Sequence, residues 1–230
     1  MEIIPAVMPK NYDDLKNKVA LVRGVVPAVQ IDLMDGKFVR NISWPFDDME
    51  NPQSKYQKIM REEEGLPFWE DVDYELDLMV LDAVQNFDLY LKLGAKRLIF
   101  HIEAVEDETE FKEFIEGIDL YIRDNTQIGV AINTITPVEK IFPLVPHIDF
   151  VQCMGIETIG RQGEPFDNRV LDHIKALRKE FPELIISVDG GVNLDSASLL
   201  KDAGANRLIV GSAIFQSFDI REAIDRLQNI

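Results

Sequence analysis

SVDGGVNLDSASLLKDAGANRLIVGSAIF, residues 187–215, holds two strand-length apolar runs with a helical pattern between them. It begins within a short β-branched run, Ile185–Val188, which ends in Asp189-Gly190-Gly191. A helical pattern follows over Asp195–Ala203 and stops at Gly204, a residue suited to the left-handed turn that ends helices. A second apolar run, Leu208–Val210, then ends in Gly211-Ser212. Two strand-length apolar segments joined through one helix make a βαβ unit, which requires a parallel sheet.

The same phrase occurs earlier in the chain. LKLGAKRLIF (91–100) reads, like LKDAGANRLIV (200–210), as helix end, glycine turn, strand. Working outward gives further strands at Ile3–Val7, Ala28–Leu33, Tyr74–Met79, Arg97–His101, Ile128–Ile132 and Phe150–Met154. Their Val, Ile and Leu content fits strands covered on both faces. Helical patterns lie between them at Asp13–Val22, Asp82–Leu93, Phe111–Tyr121, Val138–Val145 and Asn168–Phe181, with Asp82 and Asp195 as expected N-caps. Eight strands in regular alternation predict a closed (β/α)8 TIM barrel spanning 1–230 as a single domain. An open doubly wound sheet is the alternative, but the GxGxxG turn such sheets usually carry after the first strand is missing.

One segment breaks the rhythm. Residues 44–73 are rich in proline and charge and hold one helical stretch near Ser54–Glu64. This irregular βα insertion reads either as a surface elaboration or as a lid with Trp44, Phe46, Phe68 and Trp69 as its apolar contacts.

Composition narrows the partners. The chain has 230 residues, 41 acidic against 24 basic, for a formal net charge of −17. That balance argues against nucleic acid and against anionic membrane. It leaves room for a phosphorylated ligand, because backbone N–H groups bind phosphate whatever the global charge. Cys153 is the only cysteine, so no internal disulfide forms and a cytoplasmic setting is expected. No secretory signal and no apolar run of the ~20 residues that span a bilayer is read.

In such a barrel, function sits at the C-terminal ends of the strands. Polar residues gather there: Gln30, Asp32 and Asp35, then Asp77, His101, Glu103, Asn133, Gln152 and Asp189. Period two places Gln30 and Asp32 on one face of their strand. Asp35-Gly36 reads as a turn. Met34, Met79, His101 and Met154 are the expected substrate-pocket wall, with core packing as the plainer reading of the methionines. Gly190, Gly191, Gly211 and Ser212 are the expected phosphate-binding positions, since barrels hold phosphate in the loops after strands seven and eight. Arg161 either reaches that phosphate or is solvated.

IDLMDGKFVRN (31–41), ELDLM (75–79), HIEA (101–104), VAINTITPVE (130–139), SVDGGVN (187–193) and AGANRLIVGSAIF (203–215) together resemble the ribulose-phosphate 3-epimerase family of ribulose-phosphate-binding barrels. The resemblance covers about Ile3 to Phe215. It implies an isomerase that interconverts D-ribulose 5-phosphate and D-xylulose 5-phosphate, or a related ketose phosphate, through an enediolate. Asp32 and Asp189 fall on the positions of its two proton-transferring aspartates. The family's divalent metal is held by those two aspartates and two histidines, whose positions here are Gln30 and Asp77. An all-oxygen set of Gln30, Asp32, Asp77 and Asp189 suits Mg²⁺ or Mn²⁺ better than Zn²⁺; the other possibility is a lapsed site with no metal. Ala6 stands where the family has a serine, and the loop after strand six, MGIETIGRQGEPF (154–166), departs from the family's glycine-rich pattern. Sister decarboxylases and lyases carry Asp-x-Lys-x-x-Asp on strand three, and Met79 occupies that lysine's place between Asp77 and Asp82. The expectation is therefore an epimerase acting on a small phosphorylated sugar, as a homo-oligomer. The alternative is a repurposed, non-catalytic sugar-phosphate-binding barrel.

Overall fold

Eight parallel strands close into one barrel in the order β1 to β8. The computed structural model describes residues 1–230. The strands are β1 (Glu2–Val7), β2 (Ala28–Met34), β3 (Asp73–Met79), β4 (Arg97–His101), β5 (Gln127–Ile132), β6 (Phe150–Met154), β7 (Ile185–Asp189) and β8 (Arg207–Val210). Each lies where the apolar runs predict it. β1 pairs with β8 as well as β2, so the sheet has no free edge, which removes the aggregation hazard of exposed strand backbone.

Side-chain alternation divides the barrel into two environments. Outward residues such as Ile31, Leu33, Leu76, Leu78, Val130 and Ile186 join one continuous apolar shell with the helices. The inward set is far more polar: Gln30 and Asp32, Glu75 and Asp77, His101, Gln152, Ser187 and Asp189. At the N-terminal end of the barrel this polarity is neutralised by ion pairs. Arg97 Nη1 lies 3.0 Å from Glu75 Oε2, and Arg207 Nε lies 3.1 Å from Glu2 Oε2. Charges this sheltered need partners, because an uncompensated buried charge is strongly destabilising.

The helices are α1 (Tyr12–Val22), α2 (Lys55–Met60), α3 (Phe87–Lys92), α4 (Glu108–Glu116), α5 (Leu120–Arg123), α6 (Arg169–Glu180), α7 (Leu194–Ala203), α8 (Ser212–Phe215) and α9 (Ile220–Gln228). Several helices depart from their expected bounds. Val138–Val145 is not one helix: it forms a 3-10 turn at Val138–Lys140, and another follows at Val145–His147. Pro143 and Pro146 lack the N–H donors a continuous helix requires. Phe111–Tyr121 is split after Gly117, and Asp119 caps the second piece by accepting from Tyr121 N. Asp82 caps nothing; α3 starts only at Phe87. Asp195 lies inside α7, whose cap is Asn193. The Asn193 Oδ1 accepts from Asp195 N and Ser196 N, while Ser196 Oγ accepts from Asn193 N at 2.9 Å, a reciprocal capping box.

The 44–73 segment packs on the outside of the barrel. Trp44 is fully buried, edge-on to Tyr12 at 5.6 Å, with its backbone N–H bonded to Pro9 O. Phe46 and Phe68 pack against the outer shell and Trp69 is exposed. None of the four lines the cleft at the barrel mouth, so the lid reading does not hold. The α2 helix is shorter than expected because Glu62 takes a left-handed φ of 60° just past its end.

Candidate active site

The C-terminal mouth of the barrel opens into a cleft of about 540 Å³, measured out to solvent. Its floor is built by register. Asp32 on β2 stands level with Asp77 on β3, Met34 with Met79, and Met154 on β6 with Asp189 on β7. The alternation that turns Leu33 and Val188 outward turns these residues inward.

Gln30, Asp32, Asp77 and Asp189 converge. The Gln30 amide donates one N–H to Asp32 Oδ1 and the other to Asp189 Oδ2, both at 2.8 Å. Asp77 accepts from His101 Nε2 at 2.7 Å and from Gln152 Nε2 at 3.2 Å. Ser43 Oγ donates to the Asp32 carbonyl and accepts from Met34 N, which fixes the end of β2.

The closeness of the carboxyl groups shows at Asp32 and Asp189. Burial, then the charges of Asp189 and Asp77, hold Asp32 well above the usual carboxylate range, and the Gln30 bond only partly offsets this. Burial and the charge of Asp77 push Asp189 up to about 7. For His101, burial works downward, but the Asp77 carboxylate outweighs it and the imidazole is raised. Two strand-end carboxyls that resist ionising together can act as one acid and one base.

Asp32, Asp77 and Asp189 each offer a carboxylate oxygen, and these oxygens lie within 4.8 Å of one another, so the triad could hold a divalent cation. The Gln30 Oε1 atom is buried without a partner. Half a turn of that amide would exchange Nε2 for Oε1, a neutral oxygen donor beside the three carboxylates. The donor chemistry fits a hard cation.

The glycine turns sit where the sequence places them. Gly190, Gly191, Gly211 and Ser212 all line the cleft. Gly190 and Gly191 have φ of 97° and 66°, and a Cβ on Gly191 would come within 2.8 Å of Phe166 Cα. Only glycine fits that turn, and it leaves backbone N–H groups near the cleft.

Met79 and Met154 line the cleft as expected. Met34 does not: it is buried in a cluster with Met79 and Val39. His101 does not either, and instead stands behind Asp77 as its hydrogen-bond partner. Asp82 lies outside this set and accepts a bond from Tyr90. Contributors not singled out from sequence include Met8, Ile156, Gln162 and Glu164. Three of these belong to the 155–168 loop, whose irregular composition gives no periodicity to orient its side chains.

A model of the ribulose-phosphate 3 epimerase family matches residues 2–215. The ribulose-phosphate 3-epimerase of Bacillus subtilis is 29% identical over 235 positions, covering 99% of this chain and 98% of that one. The protein of that name from Schizosaccharomyces pombe is 28% identical over 229 positions, with 99% and 92% covered. Among solved structures, KGPDC from Streptococcus mutans in complex with D-R5P superposes with a TM-score of 0.69 at 14% identity, covering 99% and 95%. A 3-hexulose-6-phosphate synthase superposes at 0.67 and 19%, covering 100% and 99%. These structural likenesses speak to the barrel alone. Because the matched stretch runs from the first residue of β1 to the last of α8 and takes in every strand, the chain belongs to the ribulose-phosphate 3 epimerase family.

Proposed function

We propose that the chain is a carbohydrate-phosphate epimerase, an isomerase interconverting D-ribulose 5-phosphate and D-xylulose 5-phosphate. One observation carries this reading: the side chains of Asp32 and Asp189 meet at a single Gln30 amide on the floor of one cleft. Inversion of a carbon needs a proton taken from one face and returned to the other, hence two proton-transfer groups. One aspartate, ionised, takes the C3 proton to give the enediolate. The other, protonated, delivers a proton from the opposite face. The raised positions of both carboxyls favour a site that holds one proton between them. Gly190, Gly191, Gly211 and Ser212 hold the 5-phosphate, and Met79 and Met154 flank the sugar.

Gln30, Asp32, Asp77 and Asp189 would hold a divalent cation, with Mg²⁺ or Mn²⁺ favoured over Zn²⁺ because no imidazole or thiolate belongs to the set. Bound there, such a cation supplies positive charge to the enediolate oxygens. His101 and Gln152 orient the Asp77 carboxylate from behind. The lysine that sister decarboxylases place on β3 is replaced by Met79, which disfavours that chemistry. Retention of both proton-transfer carboxyls disfavours the non-catalytic alternative.

A cytoplasmic setting and a homo-oligomer are both part of the proposal, the second checked by light scattering. No helix is long and apolar enough to cross a membrane. The direct test is a coupled assay on ribulose 5-phosphate after chelation and add-back of Mg²⁺, Mn²⁺ or Zn²⁺. Full activity without metal would remove the cation from the proposal, and no activity under any metal would remove the epimerase.

A further inference from the structure

We infer that Arg161 is a substrate-binding residue, a guanidinium that grips the substrate phosphate from the loop after β6; this rests on the sugar-phosphate reading above. The cleft wall carries Asp32, Glu164 and Asp189, and the chain as a whole carries −17. A phosphate dianion entering such a cleft meets repulsion that backbone N–H groups, which carry only partial charge, offset incompletely. Arg161 is the one cationic side chain among the residues lining the cleft, which also include Gly190, Gly191, Gly211 and Ser212; it borders a second hollow beside Arg40 and Asn41 as well.

The loop is built to present it. Its base is closed by Gly155 N to Asp189 O at 2.6 Å and by Asp167 N to Gly155 O at 2.8 Å. Its crest is tied across the barrel mouth, where Asn41 Nδ2 donates to Gly160 O at 2.7 Å. The arc between those ties, starting at Arg161, borders the same cleft as the glycine turns. Gln162 marks how close it comes: its Nε2 lies 3.3 Å from the point where a Cβ on Gly211 would sit.

Neither residue is committed elsewhere. Arg161 has no ion-pair partner, whereas Arg169, at the start of α6, is held by Asp167 and Glu157. Arg161 and Gln162 are exposed, and Gln162 Nε2 is a free donor above the β8 turn. A planar guanidinium suits a phosphate because it offers paired donors along with full charge. The arc thus adds two side-chain donors to the backbone cradle. Arg161 supplies the charge, and Gln162 a weaker neutral bond.

The test uses the full chain and two probes: inorganic phosphate titrated by calorimetry, and ribulose 5-phosphate turnover. Arg161→Gln should weaken phosphate binding roughly 10- to 100-fold and raise KM for ribulose 5-phosphate by a similar factor, with a smaller effect on kcat. Arg161→Lys should recover part of the loss, and Gln162→Ala should weaken binding by a lesser factor. Phosphate affinity and KM in Arg161→Gln within about twofold of the unaltered protein would overturn the inference while leaving the epimerase intact. If the unaltered protein binds phosphate but turns over no ribulose 5-phosphate, the epimerase reading fails, and the phosphate titration of Arg161→Gln still decides the role of Arg161.

Discussion

Asp32 and Asp189 share one amide yet come from strands far apart in sequence. Removing either carboxyl should therefore disable one half of the same reaction. Asp32→Asn and Asp189→Asn should each lower kcat by at least about 10²–10⁴-fold, the range for loss of a positioned acid or base. Phosphate affinity, read by calorimetry, should stay close to that of the unaltered protein. A variant keeping more than a tenth of the activity would exclude that aspartate as a proton carrier. These residues were legible because a charged side chain ending an apolar strand is unusual, and strand alternation assigns its face. The partners of Asp77 were less legible. Gln152 and His101 were visible as inward polar residues, but nothing in the sequence tells which carboxylate a buried amide or imidazole will meet. Cys153 gives a second residue-level test. Its thiol is fully buried and pushed up to about 12. It should not react with a thiol reagent at pH 8 until the protein is unfolded in denaturant, and rapid labelling of the native protein would contradict its outward, packed position on β6.

Among the elements, strands were read more faithfully than helices, and the reason is local. A parallel strand covered on both faces is a short apolar run, and eight such runs stand out. Helix bounds depend on caps and breaks, such as Asn193 in place of Asp195 and the prolines after Val138, which periodicity does not weigh. Nor did apolar pattern reveal the ion pairs that seal the N-terminal end of the barrel, because Glu2, Glu75, Arg97 and Arg207 come from four strands and meet only on closure. Packing between neighbouring strands gives a prediction at this scale. A Cβ on Gly129 of β5 would lie 2.4 Å from Phe150 Cζ on β6, with the Arg207 guanidinium 5.1 Å from the centre of that ring. Gly129→Ala should destabilise by about 1–3 kcal/mol, the usual range for overpacking. Phe150→Leu made together with it should cost less than the sum of the two changes, since the smaller side chain vacates the contested space. Urea unfolding of the two single variants and the pair measures this, and simple additivity would show that the clash is relieved in some other way.

At the scale of the whole molecule, the mouth of the barrel trades stability for function, and pH exposes the trade. In the metal-free protein Asp32 and Asp189 are both raised, Asp189 to about 7. An acid whose pKa is higher folded than unfolded binds more protons in the native state between those two values. Stability therefore falls as pH rises through that window. The contribution is fully present below about 4, where unfolded aspartates titrate, and is lost by about 7. For Asp189 alone the difference amounts to no more than about 4 kcal/mol, and less in practice because its carboxyl keeps some access to water. Asp167, which its bonds to Arg169 hold down at about 2, acts in the opposite sense, and its contribution is lost only as pH falls below about 4. The two effects thus occupy separate windows. Melting temperatures of the chelated protein should fall from pH 5 to pH 7.5. Asp189→Asn should flatten that slope, since it removes one charge and relieves Asp32 of a repelling neighbour. A saturating divalent cation should raise the melting temperature most at the upper end of the range, where the carboxylates it neutralises are ionised. Parallel profiles for the chelated protein and Asp189→Asn would mean that the three carboxyls are not held together against their own repulsion.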